Sequence, residues 1–281
     1  DRRAYGEAIA DYEEAARRYP NFPTVHRNLA LAYYNVKKLP QRAYEEMEKA
    51  FALDETDARV YLELDQLKKR LNVAVKERWS DMEKHFDLVE SRDDLYLEYV
   101  TLLNTLGEPE KALGLIKARK FHQWEGGEGK VSGQYQFARI ELAKQALADG
   151  KASEAIHLLE ECLVYPHNLG EGKLYGAQEN DFYYFMGCAY QFMGNQEKAV
   201  ECWEKATNGP TEPAAALYYN DAKPDKIFYQ GMALLKLGRT DQAKGRFHKL
   251  VSYGEKHLFD QVRMDYFAVS LPDLLIWDDS L

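Results

Sequence analysis

MGNQEKAV (residues 193–200) is the stretch on which the fold turns. A glycine is followed by polar and acidic residues, and an alanine stands five positions after it. The spelling recurs in LGEPEKAL (106–113), DGKASEAI (149–156) and LGRTDQAK (237–244). The pairs are Gly107/Ala112, Gly150/Ala155, Gly194/Ala199 and Gly238/Ala243, with the alanines at intervals of 43, 44 and 44. A fixed period of this size marks stacked supersecondary units. The glycine ends one helix in the left-handed conformation, polar residues open the next, and the small alanine lets two helices approach. Apolar residues flank the turns at helical spacing: Tyr183, Met186, Gly187, Tyr190 and Met193 before Gly194, then Ala199, Val200, Trp203 and Ala206. Ile227, Gly231, Leu234 and Leu237 do the same before Gly238. Each set is the stripe of a helix buried on one side, and its aromatic members are read as core.

NLALAYYNVKKLPQRAYEEMEKAFALD (28–54) resembles the tetratricopeptide repeat, with one residue added in the turn. Leu29, Ala30, Tyr33, Ala43, Ala50 and Phe51 fall on its signature positions, and Glu55 replaces the proline that usually ends the unit. YGEAIADYEEAARRYP (5–20) is similar to the second helix of such a unit, closing at Pro20, so at least one helix is expected upstream in a longer protein. A weaker unit is expected over 58–90. The resemblance implies an all-α, right-handed superhelical solenoid of about seven hairpins with a C-terminal capping helix. KFHQWEGGEGK (120–130), NLGEGKLYGAQENDFYY (168–184) and MDYFAVSLPDLLIWDD (264–279) add a second likeness. They resemble the C-terminal helical part of large bacterial tetratricopeptide proteins whose β-rich N-terminal half is linked to carbohydrate. That likeness implies a context and fixes no activity.

Composition narrows the class. The chain has 281 residues, 46% apolar and 30% charged, which fits neither disorder nor a membrane protein. No apolar run is long enough to cross a bilayer. Net charge is −9 without a basic cluster, so nucleic acid and anionic membranes are not expected partners. Cys162, Cys188 and Cys202 lie inside helical patterns and read as small core residues.

The connections between hairpins differ in length. NFPT (21–24) and ETDA (55–58) are short, whereas 120–133, 165–180 and 208–224 are long and carry Trp124, Tyr165, Tyr175, Tyr218 and Tyr219. Long loops of this kind tend to be functional or disordered, and aromatic content argues against plain linkers. Two of them contain one phrase, GEGKVSG (127–133) and GEGKLYG (170–176), 43 positions apart. Matching turns on one rim are expected, with Glu128 and Glu171 near Trp124, His167 and Asn168.

The phrase is not a phosphate loop. Trp124 and His167 stand where the first glycine is required, and Val131 and Leu174 stand where Ser or Thr would bind magnesium. His122, Glu125, Glu128, His167 and Glu171 are metal-ligand types, but no His-x3-His or CxxC pair anchors them. Glu125, Glu128 or Glu171 could supply paired carboxylates for glycoside hydrolysis, a chemistry that needs a separation sequence does not show. The structural alternative is a tight turn in which Glu128 and Glu171 cap the following helix or pair with lysine. Along the first helices, Arg27, Leu31, Tyr34, Asn35, Leu62, Gln66, Lys69 and Arg70 would line the ordinary tetratricopeptide groove, without the lysine/asparagine/arginine clamp of the chaperone-tail binders.

The reading is a cytoplasmic, non-enzymatic scaffold with no cofactor, binding a protein partner or its own upstream domain. The runner-up is an accessory half of a carbohydrate-active enzyme. Binding residues are expected at His122, Trp124, Glu125, Glu128, Lys130, His167, Asn168, Glu171, Lys173, Asn180 and Asp181. Expected divisions are hairpins with mostly short connections over 1–119, hairpins with long loops over 120–253, and a cap with an apolar tail over 254–281. The tail, SLPDLLIWDDSL (270–281), is expected to pack on the last hairpin or to await the missing domain.

Overall fold

The computed structural model describes residues 5–124, 126–214, 221, 223–260 and 276–277. The four Gly–Ala turns behave as their spelling dictates. Gly107, Gly150, Gly194 and Gly238 all take left-handed backbone, with φ between 74° and 80°. Ala112, Ala155, Ala199 and Ala243 are completely buried. Lys38 and Asn72 take the same left-handed conformation in two earlier turns, at φ 56° and 57°. Proline opens four helices at the position where its missing N–H costs nothing.

The described chain is all-α. Its helices are α1 (Tyr5–Arg18), α2 (Pro23–Asn35), α3 (Pro40–Leu53), α4 (Ala58–Arg70), α5 (Val75–Lys84), α6 (Phe86–Ser91) and α7 (Asp93–Thr105). They continue as α8 (Pro109–Ala118), α9 (Lys130–Ala148), α10 (Ala152–Cys162), α11 (Asn180–Phe192), α12 (Gln196–Ala206), α13 (Pro224–Lys236) and α14 (Thr240–His257). Packing divides the chain into one unit of Asp1–Leu106 with Val262–Leu281, and a second of Gly107–Gln261. The expected divisions at 119/120 and 253/254 were drawn from loop length, a different criterion. The segment assigned to the capping helix lies mostly outside the described residues.

In the first unit α2 and α3 pack as a hairpin and α1 packs on α2. The weak unit at 58–90 departs from the repeat. Its second helix breaks at His85 into α5 and α6, and both pieces pack on α7. The His85 ring lies 4.9 Å from Tyr61 and 5.3 Å from Phe51, so the break seats it among aromatics. A buried ionic cluster joins α4, α5 and α7. Arg78 donates to both oxygens of Asp65, at 3.0 and 2.6 Å, and to Glu98 at 2.7 Å.

In the second unit α9/α10, α11/α12 and α13/α14 are hairpins, with α8 packed on α9. A small residue on each later first helix faces an aromatic from its partner. A Cβ on Gly187 would stand 2.4 Å from Nε1 of the fully buried Trp203. One on Gly231 would stand 2.4 Å from the Phe247 ring. The cysteines sit among these helices, and burial pushes the Cys162 thiol up to about 12. That is a packing residue rather than a nucleophile.

Candidate functional site

All three long connections fall in the second unit, at 119–129, 163–179 and 207–223 between the helices. Each hydrogen-bonds to the next. Asn168 donates through Nδ2 to the carbonyls of Ile116 and Arg119, at 2.8 and 3.0 Å, while its own carbonyl accepts from the Phe121 amide at 2.8 Å. Gly170, at φ 76°, lies so close to this junction that a Cβ would stand 2.6 Å from the Phe121 oxygen. Gln178 donates to the Asp221 carbonyl at 2.8 Å and accepts from the Lys223 amide at 3.2 Å.

The repeated phrase does not form matching turns. In the first copy Gly129, at φ 72°, is the residue before α9, and Lys130–Gly133 are already helical. In the second copy Gly170–Leu174 is irregular and Tyr175–Gly176 turns. The reason is a bond between the copies. Glu171 accepts from the amides of Gly129 at 2.8 Å and Ser132 at 2.7 Å. It therefore caps α9, not the helix that follows it in sequence. The loops meet because one copy's carboxylate satisfies the other's free N–H groups, which favour an anion at a helix N-terminus.

This fixes where the candidate residues stand. His122, Trp124, Glu128, Glu171 and Lys173 line one groove of about 520 Å³, with Val131, Leu169 and Leu174. His122, Glu128 and Lys173 are exposed, and Trp124 is half-buried against Gly127, where a Cβ would stand 2.3 Å from the indole. Trp124 Nε1 is buried without a hydrogen-bond partner. Lys173 donates to the Leu163 carbonyl at 3.2 Å and pairs with Glu179. His167 is exposed in a short 3-10 turn, and Lys130 is half-buried at the start of α9. Glu125 and the paired Tyr218 and Tyr219 lie outside the described residues.

Asn180 and Asp181 belong to a neighbouring layer. Asn180 is buried and donates to the Ala206 and Asn208 carbonyls at 2.9 and 2.7 Å, tying down the end of α12 as Asn168 ties down the end of α8. Asp181 is buried and pairs with Lys226 at 2.5 Å, while its Oδ1 has no hydrogen-bond partner. It lines a second groove of about 380 Å³ with Gln136, Tyr165, Tyr175, Gln178 and Lys226. Sequence reading passed over Gln178 and Lys226. The signal was the period itself, since Lys226 stands 45 positions after Asp181.

Glu171 and Glu128 should separate on substitution. Glu171→Ala leaves the amides of the N-cap residue Gly129 and of Ser132 without this acceptor and is expected to cost roughly 0.5–2 kcal/mol. Glu128→Ala, at an exposed position, should stay within about 0.5 kcal/mol. Denaturant unfolding of the two variants checks this, and equal effects would remove the capping role.

No family model matches the sequence. Its solved neighbours are tetratricopeptide-repeat proteins. The chain is similar to YrrB, a TPR protein with an unusual peptide-binding site, at 21% identity over 69% of this chain and 90% of that one, TM-score 0.45. It is similar to PilW, a widely conserved type IV pilus biogenesis factor, at 12% identity over 85% and 94%, TM-score 0.42. The APC/C hetero-tetramer Cut9–Hcn1 matches at 12% identity over 90% of this chain and 44% of that one, TM-score 0.46. Among the described residues no helix is long and apolar enough to cross a membrane, and no three His, Cys, Asp or Glu side chains converge as a metal site.

Proposed function

We propose that the protein is an interaction scaffold whose second unit holds a protein partner, either a separate chain or another domain of the same polypeptide. One observation carries this reading: the long loops are fastened to one another and to helix ends, and the first two together present a groove. Loops fixed by Asn168, Glu171 and Gln178 lose little entropy on binding, which favours recognition by shape. The groove offers Trp124, His122, Leu174 and the charges of Glu128 and Lys173, with the fully exposed ring of Tyr175 on the adjoining wall. Aromatic residues ringed by mixed charge suit a protein hot spot.

Carbohydrate is the second reading, supported by Trp124 beside polar groups. A hydrolytic role for Glu171 is the weaker part of it, because both carboxylate oxygens already hold α9.

A peptide-display selection tests the site directly. Peptides enriched on the native chain should lose binding to Trp124→Ala and Tyr175→Ala variants that keep their helicity. A selection that enriches nothing, or peptides indifferent to both variants, overturns the assignment. Trp124-dependent binding on a glycan array, with no peptide enriched, would establish the second reading instead.

A further inference from the structure

Of the apolar tail, Ile276 and Trp277 lie within the described residues, and both belong to the first unit. Trp277 is completely buried in the first unit, against α2 and α4. Its indole Nε1 donates to the Glu63 carbonyl at 3.0 Å, and its ring meets Tyr34 edge-on at a centroid distance of 5.2 Å. Asn35 donates through Nδ2 to the Ile276 carbonyl at 2.7 Å. The cleft walls are joined by Arg27, which donates to both oxygens of the buried Glu63 at 2.5 and 2.6 Å. The accepting carbonyl belongs to the main chain of α4, whose helical hydrogen bonds fix it independently of the indole.

These contacts have the form of peptide recognition. One side chain, Asn35, reads main chain and is indifferent to the residue at 276. One pocket reads an indole, through a donor only tryptophan has and a ring edge. A single buried aromatic of this kind supplies most of the affinity of a linear segment. The tail also carries Asp278 and Asp279 directly after Trp277. The helices forming the cleft carry Arg27, Arg59, Lys68, Lys69 and Arg70 against Glu63 and Asp65, so basic residues remain in excess after Arg27 and Arg59 pair with Glu63. Opposite charge on segment and receptor favours encounter.

We propose that the cleft of Tyr34, Asn35 and Glu63 is a tryptophan-reading peptide site, occupied by the chain's own Ile276–Trp277 as a displaceable plug. A partner would carry tryptophan followed by acidic residues and would compete with the tail. This site is separate from the loop groove, so either assignment can fail without the other.

The test uses a fluorescent peptide of sequence LPDLLIWDDSL, which copies residues 271–281. Anisotropy titration against the full chain should give weak binding to wild type. Binding to Trp277→Ala should be at least roughly tenfold tighter, because self-occupancy lowers apparent affinity by the open fraction. Adding Asn35→Ala or Tyr34→Ala to that variant should abolish the gain, as should replacing the peptide's tryptophan. A second measurement does not depend on any variant folding. In wild type labelled with 5-fluorotryptophan, excess peptide should move the Trp277 resonance, leaving those of Trp79, Trp124 and Trp203 in place. An unmoved Trp277 signal at saturating peptide, or equal binding to wild type and Trp277→Ala, overturns the proposal. A dimer by sedimentation that Trp277→Ala dissolves would overturn the same-chain plug by assigning it to a second copy.

Discussion

Arg78→Met is expected to destabilise the first unit by about 3–5 kcal/mol, the cost of stranding a buried carboxylate. Arg78 is only 4% exposed and is the hydrogen-bond partner of Asp65, itself 3% exposed. Burial raises the Asp65 carboxyl above its ordinary value against the pull of Arg78, so removing the guanidinium leaves burial unopposed by its main partner. Glu98 loses one partner as well and keeps Lys69 at 3.4 Å. Replacing both members, Arg78→Met with Asp65→Leu, should recover much of the loss, since a buried pair exchanged for apolar groups is often near neutral. Urea unfolding of the three proteins decides it. A loss under about 1 kcal/mol for Arg78→Met would place the cluster with ordinary surface pairs.

Trp203→Ala should cost the second unit about 3–5 kcal/mol, the range for truncating a fully buried large aromatic. Gly187→Ala should cost about 1–3 kcal/mol, because its methyl would enter the indole and the backbones must separate. The informative protein is the pair, Trp203→Leu with Gly187→Ala. A smaller side chain opposite the new methyl relieves the clash, so the double variant should be more stable than the sum of its parts. Additive effects would mean that the two residues do not share the contact described.

The periodic part of the molecule was legible because its cause is local. A turn that needs left-handed backbone selects glycine, and two helices in close approach select alanine at a fixed distance from it. Lys38 and Asn72 show the limit of that signal, since the same backbone conformation there carries side chains that no glycine search finds. Gly187 and Gly231 stood on the apolar stripes, but sequence did not reveal that each faces an aromatic of the following helix. The split of the unit at 58–90 was not legible, because the break at His85 answers aromatic rings from other helices.

For the candidate site, sequence brought the right loops together for a partly wrong reason. Two copies of GEGK suggested two equal turns. The actual relation is reciprocal: one copy supplies amides and the other supplies the carboxylate. Asn168 and Asn180 were marked as ligand contacts, whereas both are occupied with carbonyls at the ends of preceding helices. The destination of Trp277 was beyond sequence reading, because apolarity announces burial without naming the cleft.

The crossed cap of α9 bears on how the chain is made. Asp57 caps α4 and Asn195 caps α12 from the adjacent residue, so those helices can complete their first turn as soon as they emerge. The first turn of α9 takes its acceptor from Glu171, 41 residues after Lys130. At ribosomal rates of about 5–20 residues per second, that carboxylate arrives roughly 2–8 s later. During this interval the GEGKVSG end of α9 is the open end of a growing array, and translation of the next loop is what closes it.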